Sequence, residues 1–146
     1  GMPLGAFISS DEIMSTLKTN PVLGHITTFG GHPVCCAAGL AALEYLLDNH
    51  LMEQAEAKGR QYEECLIQHP AVKSIRRTGL LMAIEYGDDA FCEKVVKRTV
   101  ETGLLTEWFL FWPSAMRIAP PLTITSEEIE TSCRILLEAI DYAIAH

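Results

Sequence analysis

Two places in the chain carry residue types that could do chemistry. The first is Thr27-Thr28-Phe29-Gly30-Gly31. Adjacent hydroxyls and glycines leading into a helix near Pro33 suit an anion. Glycines let backbone N–H groups approach a phosphate, and a helix N-terminus adds a favourable dipole. The plainer reading is an ordinary connector ahead of a helix. The second place is Arg117, within Met116-Arg117-Ile118-Ala119-Pro120-Pro121. A guanidinium inside an apolar strand needs a partner, because an unpaired buried charge is costly. Its planar fork can grip a carboxylate at two points. The plainer readings are an ion pair with one of the chain's 19 acidic residues, or a side chain that faces water.

Other candidates are weaker. His25 and His32 flank the threonine loop without the spacing of an acid, a histidine and a nucleophile, and read as structural or solvated. Trp108-Phe109-Leu110-Phe111-Trp112 reads as core or interface rather than pocket lining. Asp88-Asp89 reads as a helix cap, and Glu53, Glu56, Glu63 and Glu64 as the solvated face of a helix. No metal-ligand spacing, P-loop or nucleophile elbow occurs, so no metal is expected. The five cysteines, Cys35, Cys36, Cys65, Cys92 and Cys133, form no CxxC pair. They fit buried free thiols in a reducing cytoplasm better than a disulfide framework or a zinc site.

The elements that must position these residues follow from periodicity. Residues 2–9 (MPLGAFIS) read as a short strand, apolar on both faces. Ser9 with Glu12 resembles a capping box before a short helix that Asn20-Pro21 ends. Residues 24–33 (GHITTFGGHP) have no period and read as a loop. A helical pattern then runs from Val34 to about Leu66, with a break at Asp48-Asn49-His50. Residues 72–77 and 80–86 read as strands around a turn at Thr78-Gly79. The continuous apolar run Leu80-Leu81-Met82-Ala83-Ile84 suggests a strand covered on both sides. A helix capped by Asp88 or Asp89 should reach about Thr102, with Gly103 at its end. Residues 104–108 and 115–119 are further strand candidates, and Thr125 with Glu128 forms a capping box that opens a last amphipathic helix.

This order predicts an α+β lobe, a small and mainly antiparallel sheet with packed helices. The expected division is residues 1–45 and residues 46–146. At 146 residues, with 21% charged side chains and no long single-sign run, the chain should fold. A net charge of −8 argues against nucleic acid and an anionic membrane surface. The apolar stretches fall short of the ~20 residues of a membrane span, and no signal peptide opens the chain.

Four segments together resemble one family, the class-III aminotransferases. Gly1-Met2-Pro3-Leu4-Gly5-Ala6 is similar to the end of the family's segment of lysine, two residues, a glycine run and M-P-[LI]-G-A. His25-Ile26-Thr27-Thr28-Phe29-Gly30-Gly31-His32-Pro33 resembles its H-x-x-T-[FY]-G-G-[NH]-P loop. Arg76-Arg77-Thr78-Gly79-Leu80-Leu81 approximates its R-G-x-G-L turn, with Arg77 at the usual glycine. Arg117-Ile118-Ala119-Pro120-Pro121-Leu122 matches R-x-x-P-P-L.

The resemblance covers the chain in order and implies the C-terminal portion of a fold-type I enzyme. That is the small C-terminal domain with a short remnant of the large domain, which transfers an amino group through pyridoxal 5'-phosphate (PLP). It implies that Thr28 binds the cofactor phosphate of a neighbouring subunit, and that Arg117 holds the carboxylate of an amino-acid substrate. It also implies a lysine that forms the Schiff base a few residues before Gly1. The chain's five lysines, Lys18, Lys58, Lys73, Lys94 and Lys97, all lie outside that context. The expectation is a chain that binds no PLP and does not transaminate alone, either because a missing large domain supplies the lysine or because it is a non-catalytic module that self-associates or binds a partner. An unpaired strand at residues 2–9 would further favour a homo-oligomer.

Overall fold

The computed structural model describes residues 1–22 and 25–146; Gly24, the expected first residue of the glycine-rich loop, lies outside the described residues. The described chain forms two compact units, Gly1–Asn49 and His50–His146.

In the first unit, α1 (Asp11–Ser15) is a little over one turn long. Its cap is Ser10, whose side chain accepts from the Ile13 amide, rather than the expected Ser9. Two adjacent serines offer the same chemistry one residue apart, so spacing alone could not choose. Residues 2–9 form no strand. A strand exists only through its ladder, and no partner strand lies among the described residues of this unit. Helix α2 (Pro33–Asp48) starts with proline at its first turn, where the missing N–H costs nothing. None of its residues is buried. Its leucines recur at helical spacing, yet Leu40, Leu43 and Leu47 all stay exposed.

The second unit holds the core. His50 adopts a left-handed backbone, which makes the expected break, and α3 (Leu51–Leu66) begins after it. Strands β1 (Ser74–Thr78) and β2 (Leu81–Glu85) form the expected hairpin, with Gly79 at positive φ in the turn. Helix α4 (Asp89–Glu101) is capped by Asp88, which accepts from the Phe91 amide. Strands β3 (Glu107–Phe109) and β4 (Trp112–Ile118) follow, then α5 (Ser126–Ala145) behind the Thr125–Glu128 capping box. All pairings are antiparallel, in the order β1-β2-β4-β3. The α+β architecture is the one expected.

The third strand is shorter and later than its pattern suggests. The Leu104 amide donates to the Thr99 carbonyl at 2.8 Å, so Leu104 completes the end of α4 instead of opening a strand. The aromatic run bends into a hairpin, placing Trp108 opposite Met116 and Phe109 opposite Trp112.

One sheet face carries Met82, Ile84, Met116 and Ile118 into a single cluster with Tyr62 and Leu66 of α3, Cys92, Val95 and Val96 of α4, and Leu136 and Ile140 of α5. The opposite face is open. Leu81 is 56% exposed, so β2 is not covered on both sides as its apolar run suggests. The three helices share their apolar stripes with one face only, and this unit supplies no second layer. The thiols divide likewise: Cys92 and Cys133 are buried, Cys35 and Cys65 half-buried, and Cys36 exposed. Burial pushes the Cys92 thiol up to about 12, which keeps it protonated and unreactive.

Inside the core, the Tyr62 hydroxyl meets the Ser132 hydroxyl at 2.7 Å, and Thr99 donates to the Val96 carbonyl at 2.8 Å. The buried Tyr86 hydroxyl has no partner among the described residues, and its ring meets Phe91 edge-on. An unsatisfied buried hydroxyl costs roughly 1–3 kcal/mol. Tyr86→Phe should therefore leave stability unchanged or raise it by about 1 kcal/mol in urea unfolding. A loss of that size instead would show that the hydroxyl is satisfied.

Candidate functional site

Each candidate site is built within its own unit. In the first, the Gly30 amide donates to the Thr27 carbonyl and the His32 amide to the Phe29 carbonyl, each at 3.2 Å. These two turns fold residues 27–32 into a compact loop before α2. Gly31 has φ +70°, a backbone that other residues rarely adopt. A Cβ on Gly30 would stand 2.6 Å from Thr27 Oγ1, so a side chain there would have to displace that hydroxyl. The loop borders a hollow of about 380 Å³ that includes Thr28, Gly5 and Cys35. Thr28 is exposed there, and no lysine lines the hollow. His32 is the N-cap of α2 but makes no side-chain cap bond. The first-turn amides of the helix therefore lack that partner. Backbone donors, a hydroxyl and a cradle that a Cβ would fill are what a phosphate group requires.

In the second unit, strand register builds the site. Arg117 of β4 stands opposite Glu107 of β3 and pairs with its carboxylate. On the other side Arg117 stands opposite Ala83 of β2, and Ala83 stands opposite Arg76 of β1. Residues directly opposite one another share a face, so Glu107, Arg117, Ala83 and Arg76 form one row across the open side of the sheet. That row floors a groove of about 760 Å³ walled by Leu81 and the aromatic hairpin. Phe111, at the hairpin tip, is 92% exposed, so the aromatic run is no part of this unit's core.

Glu85, on the same face, accepts from Ser114 Oγ, Trp112 Nε1 and the Gly87 amide. Partial burial would raise its carboxyl, but these three hydrogen bonds and the charge of Arg76 outweigh it and hold the carboxyl below its ordinary value. Glu85 thereby fixes the Trp112 ring at the groove edge.

The structure thus places Arg117 on the half-exposed face, paired with Glu107, rather than buried within an apolar strand. Periodicity missed Glu107, Arg76 and Trp112 as neighbours of this site. Alternation within each strand assigns a face, but only the register across three pairings shows which residues share a row. Glu56 and Glu63, expected as solvated, both hold Arg77, at 2.9 and 2.6 Å. Among the described residues no group of three or more His, Cys, Asp or Glu could hold a metal. No described helix is long and apolar enough to cross a membrane.

The family model for aminotransferase class-III matches residues 1–140. Among solved structures, the ornithine aminotransferase of Toxoplasma gondii is 34% identical over 92% of this chain, with a TM-score of 0.77, and it carries PLP at partial occupancy in its active site. An aminotransferase of Bacillus anthracis is 31% identical over 90% of the chain, also at 0.77. The acetylornithine aminotransferase of Elizabethkingia anophelis is 29% identical over 92%, again at 0.77. This chain spans only 32%, 34% and 36% of those three, about a third of their length. Matched along nearly its whole length by the family's model, and sharing its α+β fold with these enzymes, the chain belongs to the class-III aminotransferases.

Proposed function

We propose that the chain is the C-terminal part of a PLP-dependent aminotransferase, moving an amino group from an amino acid or amine to a 2-oxo acid, and that it is not competent alone. The observation that carries this reading is the family match over residues 1–140, with Thr28 and Arg117 both falling on open, ligand-sized hollows. Thr28 and the neighbouring backbone amides hold the cofactor phosphate of an adjoining subunit. When bound, PLP supplies an electron sink for charge that develops at the substrate's α carbon.

Arg117 binds and orients the substrate. A guanidinium has five N–H donors in a fixed fork. One terminal nitrogen pairs with Glu107, and the side chain borders the groove. A substrate carboxylate placed on the guanidinium loses rotational freedom before any bond changes, which is where such a clamp contributes to rate. Glu107 keeps Arg117 in position beforehand. The side-chain entropy of a long arginine is then lost before the substrate arrives rather than on binding.

Amino transfer also needs a lysine amine at the cofactor. Of the chain's lysines, Lys18 pairs with Asp11, Lys58 donates to the Leu122 carbonyl and Lys97 pairs with Glu93. None of the five lines the threonine hollow. The test is to incubate the purified chain with PLP, an amino acid and a 2-oxo acid, then reduce with borohydride. The expected outcome is no turnover and no lysine carrying a saturable adduct. A specific trapped lysine together with turnover would overturn the dependence on a second polypeptide or an upstream segment. The apolar, wholly unburied helix α2 supports association with such a partner or with a second copy.

A further inference from the structure

We propose that Cys65 and Cys133 form a peroxide-oxidisable thiol pair that closes a reversible disulfide between α3 and α5. The pair is a modification site on the covered side of the sheet and is independent of the roles of Thr28 and Arg117.

Helix packing brings the two thiols together. Lys58 donates to the Leu122 carbonyl at 2.7 Å, Tyr62 meets Ser132 at 2.7 Å, and His69 meets Asp141 at 3.1 Å. Later residues on one side meet later residues on the other, so α3 and α5 run side by side in the same direction. Cys65 follows Tyr62 by three residues, which keeps it on the same helix face. Cys133 follows Ser132 directly. Both cysteines therefore lie between the second and third of these contacts. Cys133 belongs to the core cluster, and Cys65 packs against that cluster. The two thiols are within hydrogen-bonding reach of each other. The other three cysteines lack such an arrangement. Cys35 and Cys36 are adjacent on α2, where successive side chains do not face each other. Cys92 is buried, and the charged groups that act on its thiol are the carboxylates of Glu85 and Asp89.

Exposure sets the order of events. Cys65 is half-buried, so a molecule as small as hydrogen peroxide reaches it, whereas Cys133 is 2% exposed. Burial, and after it contact with the Cys65 thiol, holds the Cys133 thiol above its ordinary value. A thiol kept protonated is a poor nucleophile, so Cys65 is the one that peroxide oxidises. Its sulfur attacks one peroxide oxygen and the O–O bond breaks. The second oxygen leaves as hydroxide, takes the thiol proton and becomes water, and Cys65 becomes a sulfenic acid. The Cys133 sulfur then attacks the Cys65 sulfur. The S–S bond forms, the S–O bond breaks, and the hydroxyl departs as water with the Cys133 proton. Two thiols are oxidised, and one peroxide is reduced to two waters. The second step is intramolecular, so proximity offsets the weak nucleophile. A dithiol reductant reverses the bond by exchange.

The test treats the purified 146-residue chain with hydrogen peroxide, blocks the remaining thiols, and digests it with trypsin without reduction for mass spectrometry. Trypsin cuts after Arg60, Lys73, Arg117 and Arg134, so the two cysteines fall on separate peptides, residues 61–73 and 118–134. These two peptides should appear linked, and the link should vanish with dithiothreitol. Its yield should fall roughly tenfold when peroxide is added in urea, where the helices no longer hold the thiols together. The linked chain should melt roughly 10 °C higher, because a cross-link over so long a loop restricts the unfolded chain. Cys133→Ala should lose the link and leave Cys65 as a sulfenic acid that dimedone traps. Cys65→Ser should leave Cys133 unmodified. Oxidation of Cys65 without a link, or a link of equal yield in urea, would overturn the pair. So would oxidation of Cys36 with Cys65 untouched, or a linked chain whose midpoint does not rise, since the bond would then form only by distorting the fold.

Discussion

Gly59→Ala should lower the thermal midpoint of the second unit by roughly 10–20 °C. A Cβ at this position in α3 would overlap the carbonyl oxygen of Gly79 and stand 2.8 Å from its carbonyl carbon. Both atoms are backbone, in the turn between β1 and β2, so no side chain can rotate away. The reverse approach is also close: a Cβ on Gly79 would stand 3.2 Å from Ala55 Cβ. The hairpin turn therefore rests directly on α3, and any side chain at Gly59 must push the two apart. Overpacking of this kind costs about 1–3 kcal/mol, and more where backbone must move. Alanine recovers up to about 1 kcal/mol through helix propensity. The clash wins, leaving about 2–3 kcal/mol of net loss, and each kcal/mol is worth roughly 4–8 °C in a domain of this size. Calorimetry or circular dichroism would measure it. An unchanged or raised midpoint would mean that the hairpin does not sit on α3.

The second large effect is expected at Arg77, where the family's turn usually has glycine. Arg77→Gly should destabilise the unit by about 2 kcal/mol even though it restores the commoner residue. The Arg77 side chain is 12% exposed and spans Glu56 and Glu63, two acidic residues a double turn apart on α3. Those hydrogen bonds to Glu63 and Glu56 hold its guanidinium above its ordinary value. Removing the arginine leaves two carboxylates facing each other and adds a flexible glycine to β1. A fully buried pair broken this way would cost roughly 3–5 kcal/mol. Glu56 is more than half exposed and water screens it, so the smaller figure applies. Urea unfolding at low salt and near 1 M salt would measure it. The gap between wild type and variant should narrow in high salt, where the Debye length falls to about 3 Å. Equal midpoints at low salt would show that the pairs contribute nothing. The departure from the family pattern is thus compensated within this chain: Gly59 brings the turn close to α3, and Arg77 ties the strand beside it to the same helix.

These two residues also mark how far sequence reading reaches. The capping box of α5, the Asp88 cap of α4, the His50 break and the Thr78-Gly79 turn were legible because each rests on interactions within four residues. The Thr27–Gly31 loop was legible for the same reason. Its turns and its glycine fit are local, so residue types alone indicated a loop ahead of a helix, with an anion site and an ordinary connector both open. The expected strand at residues 2–9 was not realised, because a strand depends on a partner that local pattern does not supply. Leu40, Leu43 and Leu47 keep a helical period yet cover nothing within their unit, because periodicity assigns a face without saying what lies against it.

By itself the sequence determined the α+β class, the caps of α4 and α5 and the family, and it singled out Thr28 and Arg117 as candidates. Only the tertiary structure decided what surrounds them. Antiparallel register placed Glu107 and Arg76 in one row with Arg117, and the pairing that joins the two hairpins, Ala83 with Arg117, links strands more than 30 residues apart. Packing of the helices against one side of the sheet left the other side, and with it that row, open. Pairing and packing join residues distant along the chain, and their free energy depends on the whole set of contacts rather than on any window of sequence. Arg117 could therefore be singled out as a candidate from its neighbours in sequence, but its place in a row with Ala83 and Arg76 could be read only from its neighbours in space.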